Sequence, residues 1–196
     1  MGMKLLPLAL AWLAGFGFSS LARSAEEPSG AAEPGVWHEH AVELDYMGFT
    51  STYSCDGLRS KLELLLHQLK ARADAKVDTY GCERGYGVPS RFPHAKLTFA
   101  TLKPLDAAAA PSATAAAPVA ATVSGSWQAV ALEPQRPFEL QVGDCELIEQ
   151  FRDKVLPAFA TRAAQIRTQC VPHQDMGGPF SLRLQVFAPS APAASK

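Results

Sequence analysis

The chain has 196 residues, 47% hydrophobic and 19% charged, with 18 basic against 19 acidic side chains and four cysteines. That length suits one compact domain or two small ones, and the hydrophobic share excludes a disordered chain. A net charge of −1 offers no field to nucleic acid or to an anionic membrane, so neither partner is expected.

Residues 1–22 read as a secretory signal peptide. Lys4 supplies a positive start, residues 5–18 form an uncharged apolar run, and Ser19, Ser20, Ala22 and Ala25 are small. Cleavage after Ala22 places Ser20 at the −3 position, and Ala25 marks the latest alternative. The apolar run falls short of the ~20 residues that span a bilayer, so no stable membrane insertion is expected once the signal is removed. The mature protein is therefore expected in the periplasm or secreted.

Residues 23–35 (Ala/Pro/Glu-rich) and 106–125 (Ala/Pro-rich) bury little and read as linkers, and 188–196 reads as a disordered tail of the same kind. Such segments and the signal supply much of the hydrophobic count, since 33 alanines stand against only two isoleucines. That bias, with no asparagine at all, points to GC-rich bacterial coding.

Removing these segments leaves two blocks, 36–105 and 126–187, that match as an internal repeat. Trp37 and Trp127 lie 90 residues apart, as do Cys55 and Cys145. Cys82 and Cys170 are 88 apart, and Pro104 and Pro189 are 85 apart. In the first block, Ala41, Val42, Leu44 and Tyr46 indicate a strand. Ser54 is an N-cap type, and Leu58, Leu62, Leu65, Leu66 and Leu69 give a helix with one apolar face. A strand over 76–82 and an alternating strand over 95–102 follow.

In the second block Asp144 is the N-cap type, and Ile148, Phe151, Val155 and Phe159 carry the helix. Pro157 is expected to kink or end that helix. Leu182, Leu184 and Val186 face one way in the last strand. Each block is thus β-α-β-β, which predicts an α+β fold of antiparallel strands with one helix per repeat on one face. The pattern leaves open whether the blocks share one sheet or form two lobes.

Four cysteines allow three pairings. Export favours oxidation, and the repeat favours Cys55–Cys82 with Cys145–Cys170. Geometry agrees, because a helix rising ~25 Å is followed by a strand returning ~23 Å, which brings the second cysteine beside the first. Each bridge would contribute about 3 kcal/mol by closing its loop.

Familiar catalytic signatures are missing. There is no Gly-x-Ser-x-Gly, no Ser-x-x-Lys and no His-Glu-x-x-His, since Val42 stands where the second histidine after His38-Glu39 would fall. Gly81, Gly85 and Gly87 make no phosphate-loop pattern. His38 and His40, two apart on a strand, would share a face at roughly 7 Å and could supply two ligands to Zn or Cu. A third ligand could be named only among Met47, His94 and His173. The loops after the second cysteines are the other candidates for binding: Arg84, Tyr86 and Arg91 in the first, His173, Asp175 and Met176 in the second. Asp144 and Glu146 are explained by the positive end of the second helix rather than by acid–base work.

The sequence therefore reads as an exported, disulfide-stabilised binding or structural module with no recognisable catalytic site and no cofactor. Its partner would be an envelope protein or a small ligand. The alternatives are a periplasmic Zn or Cu protein using His38 and His40, and an enzyme whose site has no recognised signature.

Overall fold

The structure, a computed structural model, describes residues 32–105, 122–171 and 179–190. The expected signal peptide, most of the central linker and the end of the tail lie outside the described residues. The first half supplies β1 (Glu33–Asp45), α1 (Cys55–Gln68), β2 (Lys76–Tyr80) and β3 (His94–Pro104). The second supplies β4 (Val123–Leu132), α2 (Cys145–Lys154), β5 (Thr161–Thr168) and β6 (Phe180–Pro189). Both halves follow the β-α-β-β order, and together they form one six-stranded antiparallel sheet in the order β2-β3-β1-β4-β6-β5.

Helix α1 begins where the Ser54 hydroxyl accepts from Gly57 N at 3.1 Å, which satisfies one of the unpaired first-turn donors. It buries Leu58, Leu62, Leu65 and Leu66. The helix stops at Gln68, with Leu69 as its C-cap. Lys70 takes a left-handed φ of 62°, and Ala71 N donates back to Leu66 O at 3.0 Å, closing the last turn.

In the second half, α2 ends at Lys154 and a short 3-10 turn, Leu156–Ala158, carries Pro157. Proline lacks the N–H that a continuing α-helix would need. The change of winding still leaves Val155, Leu156 and Phe159 buried, so the apolar periodicity is read correctly past the helix end.

The helices and the strand faces turned toward them feed a single core that draws on both halves, including Leu44, Leu65, Leu97 and Phe99 with Ile148, Phe151, Leu184 and Val186. Phe99 of β3 stacks on Phe159 at 5.6 Å between centroids. The two halves are therefore not separate lobes.

The strands reach beyond the expected block boundaries. Glu33–Gly35, Val123–Gly125 and Ala188–Pro189 read as linker or tail but lie within β1, β4 and β6. The reason is local packing. Glu33, Pro34 and Gly35 pair with Gly125, Ser124 and Val123, and this short ladder joins the halves. The registers match across that junction: Trp37 faces Leu102 as Trp127 faces Phe187, and Gly35 faces Pro104 as Gly125 faces Pro189.

On the sheet face turned away from the core, Phe187 and Leu102, each 1% exposed, lie over the two glycines. A Cβ on Gly125 would come 2.5 Å from Phe187 Cζ, and one on Gly35 would come 2.6 Å from Phe187 Cε1. Trp127 sits 5.4 Å from the Phe187 ring. Arg72 lies over Trp37 and Arg162 over Trp127, at 5.7 and 4.4 Å. This is a second, small apolar cluster built where β1 meets β4.

The disulfides are Cys55–Cys82 and Cys145–Cys170, with no free cysteine among the described residues. Each ties the first turn of a helix to the end of the strand that returns beside it.

Candidate functional site

The structure separates the histidines. On β1, His40 faces Phe99 and His38 faces Thr101 across the β1–β3 ladder, whereas His94 pairs in register with Asp45 at the other end of β1. Five residue steps of strand separate His94 from Phe99, about 17 Å. His94 is held by Asp45 at 2.6 Å and stacks on Tyr80 at 5.1 Å between ring centroids. The His40 ring meets Thr101 Oγ1 through Nε2 at 2.9 Å, and the Thr101 hydroxyl donates to Ala158 O at 3.0 Å. Met47 lies beyond the end of β1, with its backbone N and O held by Gln150 at 2.8 and 3.0 Å. His173 lies outside the described residues. Among the described residues no group of three or more His, Cys, Asp or Glu side chains is arranged to hold a metal ion. His38 and His40 thus remain a pair.

Burial pushes the His40 imidazole below its ordinary range, and the nearby Lys103 and His38 charges push the same way. The folded protein then resists a proton that the unfolded chain accepts near pH 6.5. Stability from this group is present above that pH and is lost as the pH falls through it. Chemical denaturation at about pH 7 and about pH 5 should show that His40→Gln loses less stability on acidification than the parent protein.

The first candidate loop, 81–93, is a built structure rather than a slack connection. Ser90 N donates to Cys82 O at 2.6 Å and Arg84 N to Val88 O at 2.9 Å, with Glu83 and Pro89 forming a bridge. Gly85, Tyr86 and Gly87 all take positive φ, at 99°, 52° and 73°. Glycine adopts that conformation freely. For Tyr86 it costs about 1 kcal/mol or more, and its ring is fully exposed.

The β1–β3 register continues into the neighbouring loop. Tyr46 N donates to Pro93 O at 3.0 Å and Gly48 N to Arg91 O at 2.8 Å, which sets Met47 across from Phe92. Arg84 lies over the Phe92 ring at 5.7 Å. Met47, Phe49, Tyr86, Val88 and Phe92 are all exposed, so an aromatic and methionine-bearing surface gathers here with Arg84 and Arg91. Of the second loop, His173, Asp175 and Met176 lie outside the described residues. Its first residue, Val171, accepts from the Thr50 hydroxyl at 3.4 Å, so this loop leaves the described chain beside the same surface.

The sequence reading missed a buried polar cluster that supports this surface. Asp144, 3% exposed, accepts from Tyr53 Oη at 2.6 Å, Lys61 Nζ at 2.6 Å and Gln141 N at 2.7 Å. Lys61 also donates to Glu139 O. Glu146 accepts from Phe49 N at 2.9 Å, Thr50 N at 3.0 Å and Thr50 Oγ1 at 3.1 Å. Ser51 Oγ donates to Gly143 O at 2.8 Å. These carboxylates do more than sit at a helix start. They fasten the 46–53 segment of the first half to α2 of the second. Burial, with Asp144 and Tyr46 adding to it, holds the Tyr53 phenol well above its ordinary range, so it stays a hydrogen-bond donor. The only sequence signal for this arrangement is acidic residues flanking Cys145, which a helix dipole explains equally well.

These features define an α+β module closed by two disulfides. Among the described residues, no helix is long and apolar enough to cross a membrane. No protein-family model, curated protein or solved structure matches the chain.

Proposed function

We propose that the protein is an exported recognition module that acts by binding rather than by catalysis, and that its contact surface is centred on Tyr86. The observation that carries this reading is Tyr86 itself. Its ring stands in solvent on a left-handed backbone, at the tip of a loop pinned through Cys82 to the start of α1. Strain kept at an exposed aromatic tip is what a contact residue needs, since no packing of the ring accounts for it.

The surrounding side chains fit the same use. Tyr, Phe, Met and Arg are enriched where proteins meet partners, and the Tyr86 loop carries Arg84, Arg91 and Phe92, with Met47 across from Phe92. Two disulfides favour an oxidising compartment, in keeping with the signal-like start of the chain. The partner is then an envelope protein or a small ligand.

A photo-crosslinking residue at position 86 or 88 should trap a partner in the native compartment, while the same residue at Lys154 on α2 should not. Replacing Arg84, Tyr86 and Arg91 together with alanine should leave the unfolding midpoint unchanged and abolish capture. Unaltered capture by that triple variant would overturn the reading.

A further inference from the structure

The outer face of the β5–β6 pair concentrates positive charge in a chain that is nearly neutral overall. In register, Gln165 faces Arg183 and Arg167 faces Ser181, so the two arginines stand diagonally across adjacent strands. These four side chains line a cavity of about 260 Å³. Glu133 is the carboxylate that meets them, accepting from Arg183 Nε at 2.6 Å and Ser181 Oγ at 3.0 Å. Arg136 approaches the same carboxylate at 4.0 Å.

Arg167 has no hydrogen-bond or ionic partner among the described residues, and Arg183 hydrogen-bonds Glu133 through Nε. A guanidinium presents up to five donors in a planar fork that suits two oxygens at once. Two such groups, of which only Arg183 meets a carboxylate, leave positive charge and unused donors facing one cavity. The Gln165 amide adds two further donors.

We infer that this cavity binds a small oxyanion, the phosphate or carboxylate group of a ligand, held between Arg167 and Arg183. Glu133 competes for Arg183 and orients its guanidinium. The Arg183 guanidinium holds the Glu133 carboxyl below its ordinary range, as a shared charge pair requires. This site involves none of the residues around Tyr86, so it stands or falls independently of the recognition surface.

The test is a titration of the full oxidised protein with inorganic phosphate, and separately with succinate, followed by amide and side-chain NMR shifts. Sodium chloride at matched ionic strength is the control. Saturable shifts at Gln165, Arg167, Ser181 and Arg183 support the site, and the tighter anion identifies phosphate or carboxylate as the recognised group. Arg167→Gln should weaken binding about tenfold or more, the loss expected for a charge-assisted hydrogen bond. Glu133→Gln should tighten it by releasing Arg183. Because Arg167 is exposed, the Arg167→Gln variant should keep the parent spectrum elsewhere. Shifts that never saturate, that chloride reproduces, or that Arg167→Gln leaves unchanged would overturn the proposal.

Discussion

Asp144→Ala should lower the free energy of unfolding by about 3–5 kcal/mol, the range found when one partner of a buried charge pair is removed. The side chains of Asp144 and Lys61 are 5% and 19% exposed, so water cannot replace the lost contact cheaply. The substitution strips the Tyr53 hydroxyl and the Gln141 backbone N–H of their acceptor and leaves the Lys61 ammonium only the Glu139 carbonyl, with no counter-charge. Tyr53→Phe should cost far less, about 1 kcal/mol, because it removes a donor without stranding a charge. Combining Asp144→Ala with Lys61→Met should cost less than the two single changes summed, since the second removes the stranded ammonium. Urea denaturation midpoints give all of these values. Additive losses would mean that Asp144 and Lys61 act independently.

Phe187→Ala should cost a similar 3–5 kcal/mol, although Phe187 lies outside the main core. Its ring covers both junction glycines and contacts Trp127, so truncation opens a cavity where β1 meets β4. Gly125→Ala should cost about 1–3 kcal/mol for the opposite reason, because its new Cβ would press on the Phe187 ring and on Leu102 Cδ2 at 2.8 Å. The two changes relieve one another. The double variant should be more stable than the sum of the single losses predicts, with the surplus readable in thermal or urea unfolding. Strict additivity would show that Phe187 does not pack over Gly125.

Much of this architecture was legible in the chain. The leucine spacing of α1, the alternation in β3 and β6 and the matching cysteine separations report local periodicity, which sequence encodes directly. The disulfide pairing followed from the matching cysteine spacings together with the helix and strand lengths. What sequence obscured was the junction. Gly35, Gly125 and Ala188 look like linker because small residues bury little by themselves, yet here the two glycines make room for Phe187 and Leu102, and Ala188 is itself fully buried.

Asp144 and Glu146 were similarly ambiguous. Their partners Tyr53, Lys61, Phe49 and Thr50 are about 80 to 100 residues away in sequence, and no local pattern reports a contact of that range. The Tyr86 loop was legible as a candidate because its glycines, arginines and aromatics cluster. Its alliance with Met47 was not, since that depends on the β1–β3 register running past the strand ends.

The β1–β4 ladder, the Phe187 cluster and the Asp144 and Glu146 contacts fuse the halves into one body that carries the Tyr86 loop. Differential scanning calorimetry of the oxidised protein tests this most directly. A single transition whose calorimetric and van't Hoff enthalpies agree is the expected result. Two resolved transitions, or a calorimetric enthalpy about twice the van't Hoff value, would show instead that the halves unfold independently.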